Sequence, residues 1–349
     1  MEITKAGVVG LGAMGAGIAE VLAKGGVNVV AVEANEKFLA RGEGILEASL
    51  QRAVDRGKLD AAQRDEIAAR VTMSTDLHAL EGVHIVIEAI PENLAWKSEM
   101  FCKLDEIVAE SAILATNTSS LSVTAIAEAT KHPERVVGIH FFNPAPVMQF
   151  VEIIKTELTA PGVAESALEF AVSLGKKPIL IADRAGFVAN YLLLGYLNNA
   201  AKLLDSGEYS RDDIDASMRE GCHLPMGPMT LMDLVGNDVT LPVLETIYEE
   251  TRRPEHAPSK LIEQMVRENK LGRKSGRGFF TYENGQVIDA ANGQVRQEII
   301  DALWLPYLRE AVAMMQEGYA SEDDIALAMT KGCGYPEGPI AQARAAGLL

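Results

Sequence analysis

Two side chains with acid–base chemistry, His140 and Glu152, close the two arms of the stretch Gly138-Ile139-His140-Phe141-Phe142-Asn143-Pro144-Ala145-Pro146-Val147-Met148-Gln149-Phe150-Val151-Glu152. An apolar run reaches the imidazole, the chain turns through two prolines, and a second apolar run returns with the carboxylate. That order predicts a β-hairpin in which His140 and Glu152 face each other across neighbouring strands. An imidazole held by a carboxylate is a common general base near neutral pH, because the carboxylate fixes the tautomer and stabilises the protonated ring. A lone histidine more often serves structure; the returning Glu152 weighs against that here.

Such a pair needs a scaffold, and the upstream residues provide one. Residues 6–9 are a short apolar run feeding Gly10-Leu11-Gly12-Ala13-Met14-Gly15, and helical spacing follows from Ala16 to Lys24. Glycines there let the backbone approach a pyrophosphate, and the N–H groups and dipole of the helix N-terminus favour its charge. Val27 to Val32 is a second strand ending at Glu33, 18 residues beyond Gly15. An acidic side chain there accepts from adenosine ribose hydroxyls and repels the extra phosphate of NADP, so NAD is the expected cofactor. Strands at Val83–Ile87 and Ala112–Ala115 continue the pattern. In an open parallel sheet the loops after strand C-termini form the ligand crevice, which puts Glu92, Asn93 and Lys97 in position to bind. The run Thr116-Asn117-Thr118-Ser119-Ser120 is expected to cap the helix starting near Val123 and to contact substrate as well.

From Lys37 to Gly57 the spacing is helical, and Arg41, Ser49, Arg52 and Arg56 share roughly a quarter of the circumference at about 100° per residue. The stripe reads equally as a grip on a phosphorylated ligand or as a solvated face paired with Glu43 and Glu47.

Composition bounds the rest. A chain of 349 residues suits two domains, and 48% hydrophobic with 23% charged residues is ordinary for a globular protein. The net charge of −17 excludes nonspecific binding to nucleic acid or anionic membranes. Cys102, Cys222 and Cys333 are odd in number and far apart, which argues against a disulfide framework and for a reducing, cytoplasmic setting. The N-terminus runs directly into a strand, with no membrane segment or cleavable leader expected, and no metal-ligand cluster stands out.

With these residues in view, the chain strongly resembles the 3-hydroxyacyl-CoA dehydrogenase family over residues 5 to about 282. The resemblance rests on six motifs in order: Gly10–Gly15, Glu88-Ala89-Ile90-Pro91-Glu92-Asn93, Asn117-Thr118-Ser119-Ser120-Leu121, Gly138–Pro144, Gly186-Phe187-Val188-Ala189-Asn190 and Pro225-Met226-Gly227-Pro228. It implies a Rossmann-type doubly wound α/β domain, followed by an all-α domain. It implies that His140 is the base, that Glu152 orients it, and that Ser119 and Asn190 lie near the reacting oxygen and thioester. Gly10, Leu11, Gly12, Ala13, Met14, Gly15, Glu33, Glu92, Lys97, Ser119, Asn143 and Lys274 are implied at the NAD cofactor, and Ser49 and Arg56 at coenzyme A. The chain departs from the family pattern at Ala185, Tyr191 and Glu220–Leu224, near the expected acyl pocket.

The C-terminal half adds a repeat. Gly207-Glu208-Tyr209-Ser210-Arg211-Asp212-Asp213-Ile214 recurs as Gly318-Tyr319-Ala320-Ser321-Glu322-Asp323-Asp324-Ile325, and Gly221-Cys222 as Gly332-Cys333, at a constant offset of 111. A fixed offset over such a span signals duplication of a helical unit. Asp233 and Asn237-Asp238 read as caps and interhelical polar contacts. The expected domains are 1–184 for NAD, 185–282 for substrate, and 283–349 for a linker, marked by Asn284-Gly285 and Asn292-Gly293, with a partial second copy. That copy is expected to cover the surface by which single-copy relatives form a homodimer. The implied reaction is reversible oxidation of a short-chain 3-hydroxyacyl-CoA. The alternatives are a dehydrogenase of a free hydroxy acid or sugar acid of the gulonate type, and a crystallin-like dinucleotide-binding protein without turnover.

Overall fold

Strand β1 (Lys5–Val9) is an interior strand, third from one edge of an eight-stranded sheet, and every residue from Ala6 to Val9 is buried. The computed structural model describes residues 2–349, which fall into two compact units meeting at Arg184 and Ala185.

In the first unit β1 is followed by α1 (Ala13–Lys24), β2 (Asn28–Val32), α2 (Glu36–Asp55), α3 (Ala61–Ala69) and β3 (Val71–Ser74). Next come β4 (Ile85–Glu88), α4 (Leu94–Ile107), β5 (Ile113–Thr116), α5 (Val123–Glu128), β6 (Val136–Phe141), β7 (Phe150–Lys155), α6 (Pro161–Ser173) and β8 (Lys177–Ala182). Their order in the sheet is β3-β2-β1-β4-β5-β6-β7-β8. All neighbours pair in parallel except β6 and β7. Strands buried on both faces carry nearly continuous Val, Ile and Ala, as parallel sheets covered by helices require. The order reverses at β1, so the crevice beyond the ends of β1 and β4 is the switch point where open α/β sheets bind ligands.

Local signals fix the helix starts. Asn35 caps α2 through Phe38 N–H, Asn93 caps α4 through Trp96 N–H, and Asp60 forms a capping box with Gln63 on α3. The cap of α5 is Ser122 accepting from Ala125 N–H, which corrects the expectation that Thr116–Ser120 supply it.

The second unit is built on α7 (Ala189–Asp205), α8 (Arg211–Ala216), α9 (Pro228–Val235), α10 (Asn237–Thr251) and α11 (Lys260–Arg267). A two-stranded hairpin, β9 (Tyr282–Glu283) with β10 (Gln286–Val287), qualifies the all-α expectation. Its turn is Asn284-Gly285, both at positive φ, the conformation an Asn-Gly hairpin turn demands. The expected linker therefore begins as a hairpin. It continues tied to α8, because Asp212 and Asp213 accept from Ala291 and Gln294 N–H. Then follow α12 (Gln297–Gln316), α13 (Glu322–Leu327) and α14 (Pro339–Ala345). The pairs α8/α13 and α9/α14, and the π-helical turns Ser217–Gly221 and Ala328–Gly332, each start 111 residues apart. Tyr196 of α7 meets Trp304 and Tyr307 of α12 edge-on, at 6.0 Å between ring centroids in both cases. Asp233 is fully buried and accepts from Phe279 and Phe280 N–H and from the Tyr282 hydroxyl, a structural contact of the kind expected for it. Among the described residues no helix is long and apolar enough to cross a membrane.

Candidate active site

Strands β6 and β7 pair His140 directly with Glu152, and Nδ1 of the imidazole lies 2.7 Å from Glu152 Oε2. Both side chains are buried, Glu152 completely. The register places them on one face, as the hairpin reading requires, and the short contact makes Nδ1 the donor to the carboxylate. The Nε2 lone pair is then the ring's acceptor. Two features of this surrounding had no signal in the spacing. Phe142 lies against the imidazole at 4.5 Å between ring centroids. Asn117 Oδ1 accepts from Phe141 N–H at 2.8 Å, which fixes the backbone beside the histidine from the end of β5.

Ser119 is carried by a loop built around one carboxylate. Glu92 Oε1 accepts from the Thr118 hydroxyl at 2.6 Å, from Ser119 N–H at 2.8 Å and from Ser120 N–H at 3.2 Å. Behind it, Lys97 is fully buried, and its ammonium reaches Glu88 Oε1 at 2.8 Å, Ile90 O at 3.2 Å and Glu92 Oε2 at 3.4 Å. Glu88 in turn accepts from the Thr116 hydroxyl. An ammonium has three protons, and all three have partners here. Lys97, expected at the cofactor, is thus a buried brace that holds Glu92 and the Ser119 loop beside the crevice. Its charge is tolerated because it is paired with two carboxylates and hydrogen-bonded to Glu88 and the Ile90 carbonyl.

The nucleotide crevice lies beyond β1, β2 and β4. A cavity of about 860 Å³ is lined by Gly10, Gly12, Ala13, Met14 and Glu33, together with Phe38, Leu77, Trp96 and Met100. The last four had no motif to mark them; they are large, partly exposed apolar groups on the cavity wall, which suits an adenine ring. Gly12 precedes α1 without a side-chain cap, and a Cβ built there meets nothing within 4 Å, so the helix N-terminus opens onto the cavity. Gly15 does a different job, since a Cβ there would sit 1.7 Å from Gly10 O. Glu33 accepts from Leu11 N–H at 2.7 Å and Ala34 N–H at 2.9 Å, which holds a carboxylate at the cavity wall. Leu11 and Gly15 are buried and shape the turn rather than lining the cavity. An uncapped helix end, an open glycine and a held carboxylate fit a dinucleotide.

The remaining expected residues are placed as follows. Asn143 is exposed in the turn after β6, joined to Pro144 by a cis peptide bond. Ser49 is half-buried on α2, Arg41 and Arg52 are exposed on the same helix, and Arg56 is exposed at its C-cap. Among the described residues these exposed arginines form no ion pair with Glu43 or Glu47. In the second unit, Asn190 lies in the first turn of α7, and Lys274 is exposed and paired with Asp238 at 2.5 Å.

Residues 5–184 match the NAD binding domain of 3-hydroxyacyl-CoA dehydrogenase, and residues 186–282 and 299–349 match the C-terminal domain of the same family. A 3-hydroxybutyryl-CoA dehydrogenase of Mycobacterium tuberculosis is 43% identical over 80% of this chain and 99% of its own length. The human mitochondrial hydroxyacyl-coenzyme A dehydrogenase is 42% identical over 79% of this chain and 90% of its own. The crystal structure of 3-hydroxybutyryl-CoA dehydrogenase from Escherichia coli superposes with a TM-score of 0.92 at 30% identity, covering 99% of this chain and 92% of that one.

Proposed function

From the premise that this chain belongs to the 3-hydroxyacyl-CoA dehydrogenase family, we propose that it oxidises a short-chain 3-hydroxyacyl-CoA reversibly to the 3-oxoacyl-CoA, with His140 as the base. The observation that carries the residue assignment is the 2.7 Å contact between His140 Nδ1 and Glu152 Oε2 within a buried cross-strand pair.

NAD, held by Gly10, Gly12, Ala13, Met14 and Glu33, supplies a two-electron acceptor when bound. Glu152 keeps the His140 proton on Nδ1, which leaves Nε2 to take the proton of the substrate hydroxyl. The imidazolium so formed is stabilised by the buried carboxylate, and in the reverse direction it returns the proton to the oxygen. Ser119, held by Glu92, orients that oxygen. Arg52 and Arg56, with Ser49, hold the phosphates of coenzyme A; their lack of acidic partners in so acidic a chain supports this role.

The reading is tested by NADH formation from 3-hydroxybutyryl-CoA compared with free 3-hydroxybutyrate. Turnover of the thioester alone is expected. Equal or preferential turnover of the free acid would turn the assignment toward a hydroxy-acid dehydrogenase.

We also infer that residues 299–349 are a second copy of the helical unit that takes the place of a dimer partner. The constant offset of 111 and the two matched segments support this.

A further inference from the structure

We infer that Lys176 is a positioning residue for the catalytic hairpin, clamping the turn between β6 and β7 against α1. The inference rests on His140 acting as the base. Within the turn, Val147 and Met148 N–H both donate to Pro144 O, at 2.9 and 3.0 Å. That closure directs the carbonyls of Ala145 and Met148 outward, and the Lys176 ammonium meets both, each at 2.7 Å. Lys176 stands immediately before β8, whose first residue donates to Gln149 O at 2.8 Å, so the clamp is anchored in the sheet that carries Glu152.

The turn also packs on α1. Gly17 packs so closely there that a Cβ would lie 3.1 Å from Pro146 Cδ and 3.3 Å from Ala145 Cβ. One turn further along α1, Glu20 is 1% exposed, pairs through Oε1 with Lys24 at 2.5 Å, and leaves its buried Oε2 without a partner. Its charge favours the ammonium form of Lys176, while burial and Lys24 oppose it and bring Lys176 down to about 8. A half-buried ammonium is kept only where it is hydrogen-bonded and compensated, and here the two carbonyls and Glu20 do both. The same helix opens at its N-terminus onto the nucleotide crevice. Lys176 therefore holds the turn that follows His140 in the shape that packs on the helix opening onto the nucleotide crevice.

The experiment compares wild type, Lys176→Met and Lys176→Arg. Lys176→Met is expected to lower kcat roughly tenfold with little change in KM for the acyl-CoA, because misplacing a base costs rate more than binding. The primary isotope effect on kcat with substrate deuterated at C3 rises in Lys176→Met, since misalignment slows the chemical step; a partly unfolded enzyme would leave it unchanged. Amide exchange at Val147 and Met148 accelerates in Lys176→Met, and Lys176→Arg, which keeps two donors, recovers most of kcat. Unchanged kcat and exchange in Lys176→Met overturn the inference, as does a loss of kcat at constant isotope effect that Arg does not recover. If the wild type fails to oxidise the acyl-CoA, the proposed function falls, and amide exchange still decides the clamp.

Discussion

The proton on Nδ1 of His140 is the smallest unit on which the chemistry depends. Glu152 is fully buried, so an imidazole that swung away from it would give up a charge-assisted hydrogen bond in a site closed to water; the ring is held in one tautomer by that cost. Replacing His140 by Gln keeps a polar side chain near Glu152 but removes the base. Turnover should fall at least about a hundredfold, the lower range for a positioned general base. NADH binding, followed by fluorescence, should stay close to wild type, because no part of the nucleotide cavity is formed by this residue. Near-normal turnover would reject His140 as the base. The His140–Glu152 contact was legible in the sequence because a period-two pattern and a proline turn determine which side chains face each other. The Asn117 and Phe142 contacts were not, since they depend on how β5 and β6 lie side by side, which no local pattern encodes. The buried partners of Lys97 were hidden for a related reason. A lysine early in a crevice helix reads as a ligand contact, and only the fold brings its ammonium onto Glu88 and Glu92 as well.

At the scale of the element, the strand β1, the glycine turn and α1 divide their labour between folding and binding, and two glycines separate the roles. Gly15→Ala puts a methyl 1.7 Å from Gly10 O and cannot be absorbed without moving backbone. Such overpacking should destabilise the first unit by about 2–3 kcal/mol. Gly12→Ala meets no protein atom within 4 Å, so the melting temperature of the free protein should be unchanged. The added methyl instead points into the space left for the dinucleotide and should weaken NADH binding by roughly tenfold or more, the scale of a misplaced methyl in a fitted site. Melting curves with and without NADH separate the two substitutions. Equal melting temperatures for Gly15→Ala and wild type would show that the turn is not as tight as the geometry requires. The glycine turn was legible because glycine at those spacings has few other uses. The apolar walls of the same crevice, Phe38, Leu77, Trp96 and Met100, were not, because they come from three separate segments with no shared motif.

For the whole molecule, the repeat was visible as an offset in the sequence, but not the attachment of α12 to the helices before it. Around Tyr191 of α7, Arg253 and His256 converge on Glu310 of α12; Arg253 Nη1 meets Glu310 Oε2 at 3.0 Å, and a second, shorter contact joins Nη2 to Oε1. Truncation after Tyr282 removes α12 and this latch, and it should yield a protein that self-associates or loses solubility in gel filtration. A soluble, active product of unchanged association state would sink the inference that the second copy stands in for a partner. A gentler test keeps the chain whole. Burial pushes the Glu310 carboxyl up, but the His256 ring at 3.8 Å and the Arg253 guanidinium outweigh it and hold Glu310 at about 2, below its ordinary 4.5. A carboxyl with a depressed folded-state value binds its proton more readily when unfolded, so its contribution is present above about 4.5 and is lost as the pH falls toward 2. Because Glu310 is partly exposed, solvent screening limits the contribution, and Glu310→Gln should cost about 1–2 kcal/mol at pH 7. Urea denaturation of wild type and Glu310→Gln across pH 3 to 7 reads the difference directly. The gap should be widest at neutral pH and narrow steadily in acid; a gap independent of pH would mean that the glutamate contributes through packing, and the ion pair to Arg253 would not be what fastens α12.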